Sequence, residues 1–222
     1  MASISGIATS SARSLAVPGN PASLDLLDFL YAQHVTQLAV LELLAKLAFD
    51  PHNRTAAHDA AAVIDCFAEW LPLHDAIEEE QLFGVLSQRS LPSDDIDGLL
   101  AQLRLGHQET RALADELMEG LHDLATGRRL KDPHGFRATA IALCSHHRAM
   151  VQWEDDVLYP FVRQRLDLGD LDELATAIAR GRETAHLSPW PSAPQDAREA
   201  EDWAEEFEIA NDEHFPPRRK RH

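Results

Sequence analysis

The chain has 222 residues, 45% of them hydrophobic and 26% charged, and its 20 basic against 37 acidic residues leave a formal net charge of −17. That is enough apolar material for one domain with a core, and the acidic excess repels nucleic-acid phosphates and anionic lipid. No run approaches the roughly 18 uncharged apolar residues that a membrane span requires. Cys66 and Cys144 stand far apart and form neither a disulfide framework nor a thiolate zinc site, so a reducing, cytoplasmic setting fits best.

Residues 1–23 are rich in Ser, Ala and Gly, lack any acid and read as a flexible N-terminal arm. From Leu24 apolar residues recur every three or four positions, which predicts an all-α, up-down bundle of four long helices over residues 24–182. The first helix runs over about 24–48, opened by Ser23 and stopped before Asp50-Pro51. The second runs over about 56–89 and crosses Pro72, which removes a hydrogen bond and predicts a kink just before His74. The third starts after Ser93, as a cap for the acidic turn Asp94-Asp95, and ends near Thr126-Gly127. The fourth follows Asp132-Pro133 to about Leu166, and a short fifth covers about Leu171 to Arg180. Residues 183–222 form an acidic, proline-containing tail with one amphipathic stretch through Trp203 and Phe207 and a basic end, a mobile segment through which a protein partner could dock.

Heptad-like stripes place chemistry inside this bundle. The first helix turns Leu27, Leu30, His34, Leu38 and Leu41 inward, and the second Phe67, Leu71, His74, Glu78, Gln81 and Val85. The third gives Leu100, Leu103, His107, Thr110 and Ala114. The fourth gives Leu143, His147, Met150, Glu154, Val157 and Phe161. One buried histidine is usually held by a neighbour, but all four helices carry an imidazole or a carboxylate. Burying these groups unpaired costs several kcal/mol each, and a metal centre satisfies them together. His74 and Glu78, four apart, share one face of one turn. Imidazole and carboxylate without thiolate suit iron, manganese or zinc, and two bridging carboxylates in a four-helix bundle favour a dinuclear non-haem iron site. Neither Glu-x-x-His pairs nor His-Glu-x-x-His occur, which removes the ferritin-like and zincin readings.

These segments resemble the hemerythrin-like, or HHE cation-binding, family over about residues 24–182. The carriers are FLYAQHVTQL with His34, LPLHDAIEEEQLF with His74 and Glu78, LRLGHQETRAL with His107, and MVQWEDDVLYPF with Glu154. The resemblance implies iron, in all two ions, and a role in sensing or handling oxygen, nitric oxide or iron itself, with O2 or NO as the diatomic ligand. One position departs from it: the histidine expected on the fourth helix falls on Met150, a soft and weak donor for iron. Either His147, about 10.5 Å along the axis from Glu154, swings in as a ligand, or the position stays open and the site is mononuclear or degenerate. Arg111 stands where oxygen-carrying hemerythrins place a second histidine, which speaks against a reversible carrier of that type.

Other residues have simpler readings. His52, His58, His122, His134, His186, His214 and His222 fall in turns, off the stripes or in tails; His146 faces partly away; and the cysteines are small buried hydrophobes. Glu79 and Glu80 face solvent or support a ligand, and Tyr31 is a core aromatic beside the His34 turn. The rival readings are a regulatory bundle with a decayed site, and a phosphotransfer bundle, which would need an exposed histidine.

Overall fold

The computed structural model describes residues 26–184. The predicted arm, the stretch through Trp203 and Phe207, and the basic end with its partner lie outside the described residues. Five helices account for the described chain: α1 (Leu26–Phe49), α2 (residues 56–89), α3 (Ile96–Ala125), α4 (residues 133–165) and α5 (Leu168–Thr184). No strand occurs among the described residues. The loops between the first four are short, so sequential helices run antiparallel. α1 packs on α2 and α4, and α3 packs on the same two, which closes the bundle; α5 lies against α1 and the 77–82 turn of α2.

Two apolar cores fill the interior. One gathers Leu41, Leu44, Leu71, Leu117, Leu121 and Leu143; the other gathers Leu27, Leu30, Phe83, Leu100, Leu158 and Val162. Each fully buried leucine contributes about 1.5–3 kcal/mol relative to an exposed one. Between the cores lies a layer of buried polar side chains that includes Gln33, His34, Gln37, His74, Asp75, Glu78, His107, Thr110, His147 and Glu154. The cores on either side hold that layer in place.

α3 is a single uninterrupted helix, and its predicted stripe, Leu100 through Ala114, is buried throughout and continues to Ile96 on one side and Leu117 and Leu121 on the other. α2 and α4 are not regular. α2 widens into π-helical turns at Cys66–Trp70 and Ile77–Leu82, and α4 at Glu154–Leu158. Two of these turns end just before a proline, Pro72 and Pro160. A proline ring clashes with the carbonyl four residues back, and the wide turn relieves that clash. Just upstream of Pro72, where the sequence predicts a kink, the helix forms a π-turn.

The wide turns at Ile77–Leu82 and Glu154–Leu158 each insert one residue into the 3.6-residue repeat, so the inward stripe moves on by one there. Gln81 and Val85 are only half-buried, and Leu82, Phe83 and Leu86 fill the core instead; likewise Val157 is exposed while Leu158 and Val162 are buried. On α1 the half-buried Leu38 gives way to Gln37, which faces the polar layer.

The helix starts also differ in part. Asp132 accepts a hydrogen bond from Gly135 N at 2.9 Å, with Pro133 opening the helix, as expected. α3 starts from Asp95, which has a left-handed φ of 48° and no side-chain cap, rather than from a Ser93 cap. Asp94 is drawn away by a bidentate pair with Arg165, 2.7 Å to each nitrogen, and by Leu91 N. α5 begins earlier than predicted because Asp167 and Asp170 cap each other's backbone N–H, at 2.9 and 3.2 Å. Among the described residues no helix is long and apolar enough to cross a membrane.

Candidate metal centre

His34, His74, Glu78 and Glu154 are all buried, and each offers a ligand atom within 4.8 Å of the others. Three helices supply them, and α3 adds His107. His34 Nε2 stands 3.1 Å from both His74 Nε2 and Glu154 Oε2. His74 Nε2 is 3.9 Å from Glu78 Oε1. On the opposite side, His107 Nε2 lies 3.3 Å from Glu154 Oε1 and 3.5 Å from Glu78 Oε2. Each glutamate therefore presents one oxygen to the His34–His74 pair and the other to His107. Glu154 opens one π-turn and Glu78 is the second residue of another, and their carbonyls accept the five-residue bonds from Tyr159 and Phe83.

The imidazoles are held from behind. Nδ1–H of His34 donates to Asp155 Oδ1 at 2.7 Å, that of His74 to Gln33 Oε1 at 2.7 Å, and that of His107 to Glu79 Oε1 at 2.8 Å. With Nδ1 committed to an acceptor, Nε2 points inward, the orientation that metal-ligating histidines adopt. Arg111 supports the third of these links, bonding Asp75 Oδ2 at 2.8 Å and approaching Glu79 Oε1 at 3.5 Å.

Packing positive and negative groups together without water shifts their protonation. Burial pulls the His34 imidazole down, but its bonds to Asp155 and Glu154 outweigh this and raise it to about 9. The same contest, won by Glu154 and Glu78, raises His107 to about 11. Burial and the charge of His34 keep His74 neutral, well below the ordinary range. Burial, with Glu154 alongside, raises Glu78. For Glu154 burial is overcome by the bonds from His107 and His34, and its carboxyl stays low. Glu78 Oε2 accepts no hydrogen bond despite full burial. Three inward nitrogens and two carboxylates, one with an oxygen left over, form a donor set that fits a first-row transition cation.

All six residues predicted for the site are buried. Five form the cluster just described. His147 lies beside it: Nε2–H donates to Gln37 Oε1 at 2.9 Å, Nδ1 has no hydrogen-bond partner, and burial lowers the ring to about 4. Met150 packs against Gly106, where an added Cβ would come within 3.0 Å of its sulfur. His146 is half-buried and donates from Nε2 to the Gly106 carbonyl at 3.0 Å, which ties α4 to α3. His52, His58, His122 and His134 are exposed, and His186, His214 and His222 lie outside the described residues. Burial pushes both free cysteine thiols up to about 12, so they stay protonated. The burial of His74 and His107 argues against the phosphotransfer reading.

Sequence reasoning missed four residues here. Tyr159, fully buried, donates to Glu78 Oε1 at 2.7 Å, lies 3.2 Å from His34 Nε2 and stacks on the His34 ring. Tyr31, singled out instead, stands one layer farther out, edge-on to Tyr159 and 3.4 Å from the Asp155 carbonyl. The π-turn carries Tyr159 inward, and a regular repeat does not reveal it. Asp155 and Gln33 are visible only through the histidines they hold. Asp75 is buried with Oδ1 unpartnered, and burial raises its carboxyl to about 7; its place directly after His74 was the available signal.

A sequence model of the hemerythrin family, described as the hemerythrin HHE cation binding domain, matches residues 25–162. No curated protein matches the chain.

Proposed function

The chain belongs to the hemerythrin family of HHE cation-binding domains, and from that premise we propose that it is a non-haem iron protein that senses or handles O2, NO or iron itself. The bridging disposition of Glu78 and Glu154 carries this reading. Each carboxylate offers one oxygen to the His34–His74 side and one to His107, as two metal ions side by side require. Iron is the metal that this nitrogen and oxygen set suits in such a bundle, and it would supply reversible one-electron chemistry and an open position for a diatomic ligand.

The protein's own part is positional. Asp155, Gln33 and Glu79 fix the three imidazoles, and Tyr159 holds Glu78 in place. The two leucine-rich cores keep bulk water from the polar layer. Loading the site displaces the protons that His34 and His107 hold in its absence. The buried thiols, kept reduced, suit the cytoplasm.

A second reading has a specific observation behind it. The four donors that gather within 4.8 Å are His34, His74, Glu78 and Glu154, whereas Met150 brings no nitrogen to the His107 side. A single ion, or a site retained in a regulatory bundle, would follow. Metal analysis of Met150→His beside the wild type separates the two: a gain of one ion per chain favours the single-ion reading, and equal content near two supports the dinuclear one.

A further inference from the structure

A groove of about 300 Å³ runs between α3 and α4 on the face where the bundle departs from its family. Its walls are largely apolar, with Leu99, Leu105 and Trp153 among them. Its inner end is made by Leu103 and Met150, both buried and both one helical turn from a cluster residue, His107 and Glu154 respectively. Met150 shares the buried stripe of α4 with His147 and Glu154, which belong to the polar layer.

We propose that this groove is the entry for a small uncharged ligand, and that the Met150 thioether is its gate. Three observations support the assignment. The buried inner end, Leu103 and Met150, offers an ion no partner to replace its hydration, and the polar lining residues Gln102, Glu109 and His146 are exposed or half-buried. Gly106, the residue before His107, leaves room for the sulfur, since a Cβ there would approach it to 3.0 Å. The bond from His146 to the Gly106 carbonyl pins the two helices at that level, so a side-chain rotation, not a helix movement, sets the opening. Methionine, unbranched with three rotatable bonds, turns at low cost. The residue that deprives the site of a nitrogen therefore gives it a door. This inference rests on the iron reading only in what lies behind the door.

The test has two arms on the full chain. Methyl-13C methionine spectra under xenon pressure report access directly, xenon being a small, uncharged and unreactive probe. The Met150 methyl should shift more than that of the half-buried Met118, and Ala149→Trp, at the exposed groove wall, should abolish the difference. A Met150 methyl that does not respond, or responds equally in Ala149→Trp, overturns the proposal. Nitric oxide association with the ferrous-loaded protein reads passage: Ala149→Trp should slow it by about tenfold and Met150→Ala should speed it severalfold. Equal rates in all three proteins overturn the gate. Failure of the iron reading shows differently, as metal absent from wild type and variants alike while the xenon shifts persist.

Discussion

At Tyr159 one hydroxyl serves the His34–His74 side of the candidate centre, donating to Glu78 Oε1 and lying against His34. Tyr159→Phe keeps the ring in the core and removes only that oxygen. The variant should fold, lose about 1–2 kcal/mol of stability in denaturant titration, and release metal to a competing chelator about tenfold more readily. Unchanged retention would mean that Glu78 needs no such support. Met150→His works in the opposite sense. It adds a nitrogen beside His107, and its metal should be slower to leave than that of the wild type in the same chelator assay. His147, seven residues before Glu154 and held by Gln37, is the control: His147→Gln should leave retention within about threefold if the ring is not a ligand.

The helices show how far periodicity carries. α3 has no interruption, and its whole inward face was legible, as was the histidine on every other long helix. Legibility failed just beyond Glu78 and Glu154, where a π-turn adds a residue and moves the stripe from Gln81 and Val85 to Leu82 and Phe83, and from Val157 to Leu158. Pro160 marks the turn at Glu154–Leu158, as Pro72 marks the turn at Cys66–Trp70, but the turn at Ile77–Leu82 has no proline to mark it. The partners behind the imidazoles were illegible for another reason: Gln33 and Asp155 are distant in sequence from the histidines they hold, and Asp155 lies within a wide turn. Deleting the exposed Asp156 together with Pro160→Ala should restore a regular α4, with Leu158 still inward. The bundle should keep its cooperative melt, while metal retention falls by at least about tenfold because Glu154 is re-aimed. Retention at the wild-type level would separate the π-turn from the site.

For the whole molecule, a charged polar layer between two apolar cores makes stability, metal uptake and pH interdependent. His34 and His107 are raised from the ordinary 6.5 to about 9 and about 11 when no metal is bound. Their contribution to the metal-free fold is complete below 6.5 and is lost as pH rises through those values. Denaturation midpoints of chelator-treated protein should therefore fall from pH 6.5 to 9, and a flat profile would contradict the ion pairs with Glu154. Metal uptake should strengthen over the same range, because at pH 7 both imidazoles must give up a proton, about two per chain. Calorimetry in buffers of different ionisation enthalpy counts them, and a count of zero would mean that the metal does not displace these protons. The acidic surface and the apolar groove complete the picture, one repelling anions and the other admitting small neutral molecules.

The central claim is that His34, His74, Glu78, His107 and Glu154 hold iron. Metal content per chain by plasma emission, on protein purified without chelators and paired with the visible spectrum after air oxidation, tests it most directly. The account predicts about two irons per chain with oxo-bridge charge-transfer bands, lost in Glu78→Gln; a folded bundle with metal near zero would contradict it.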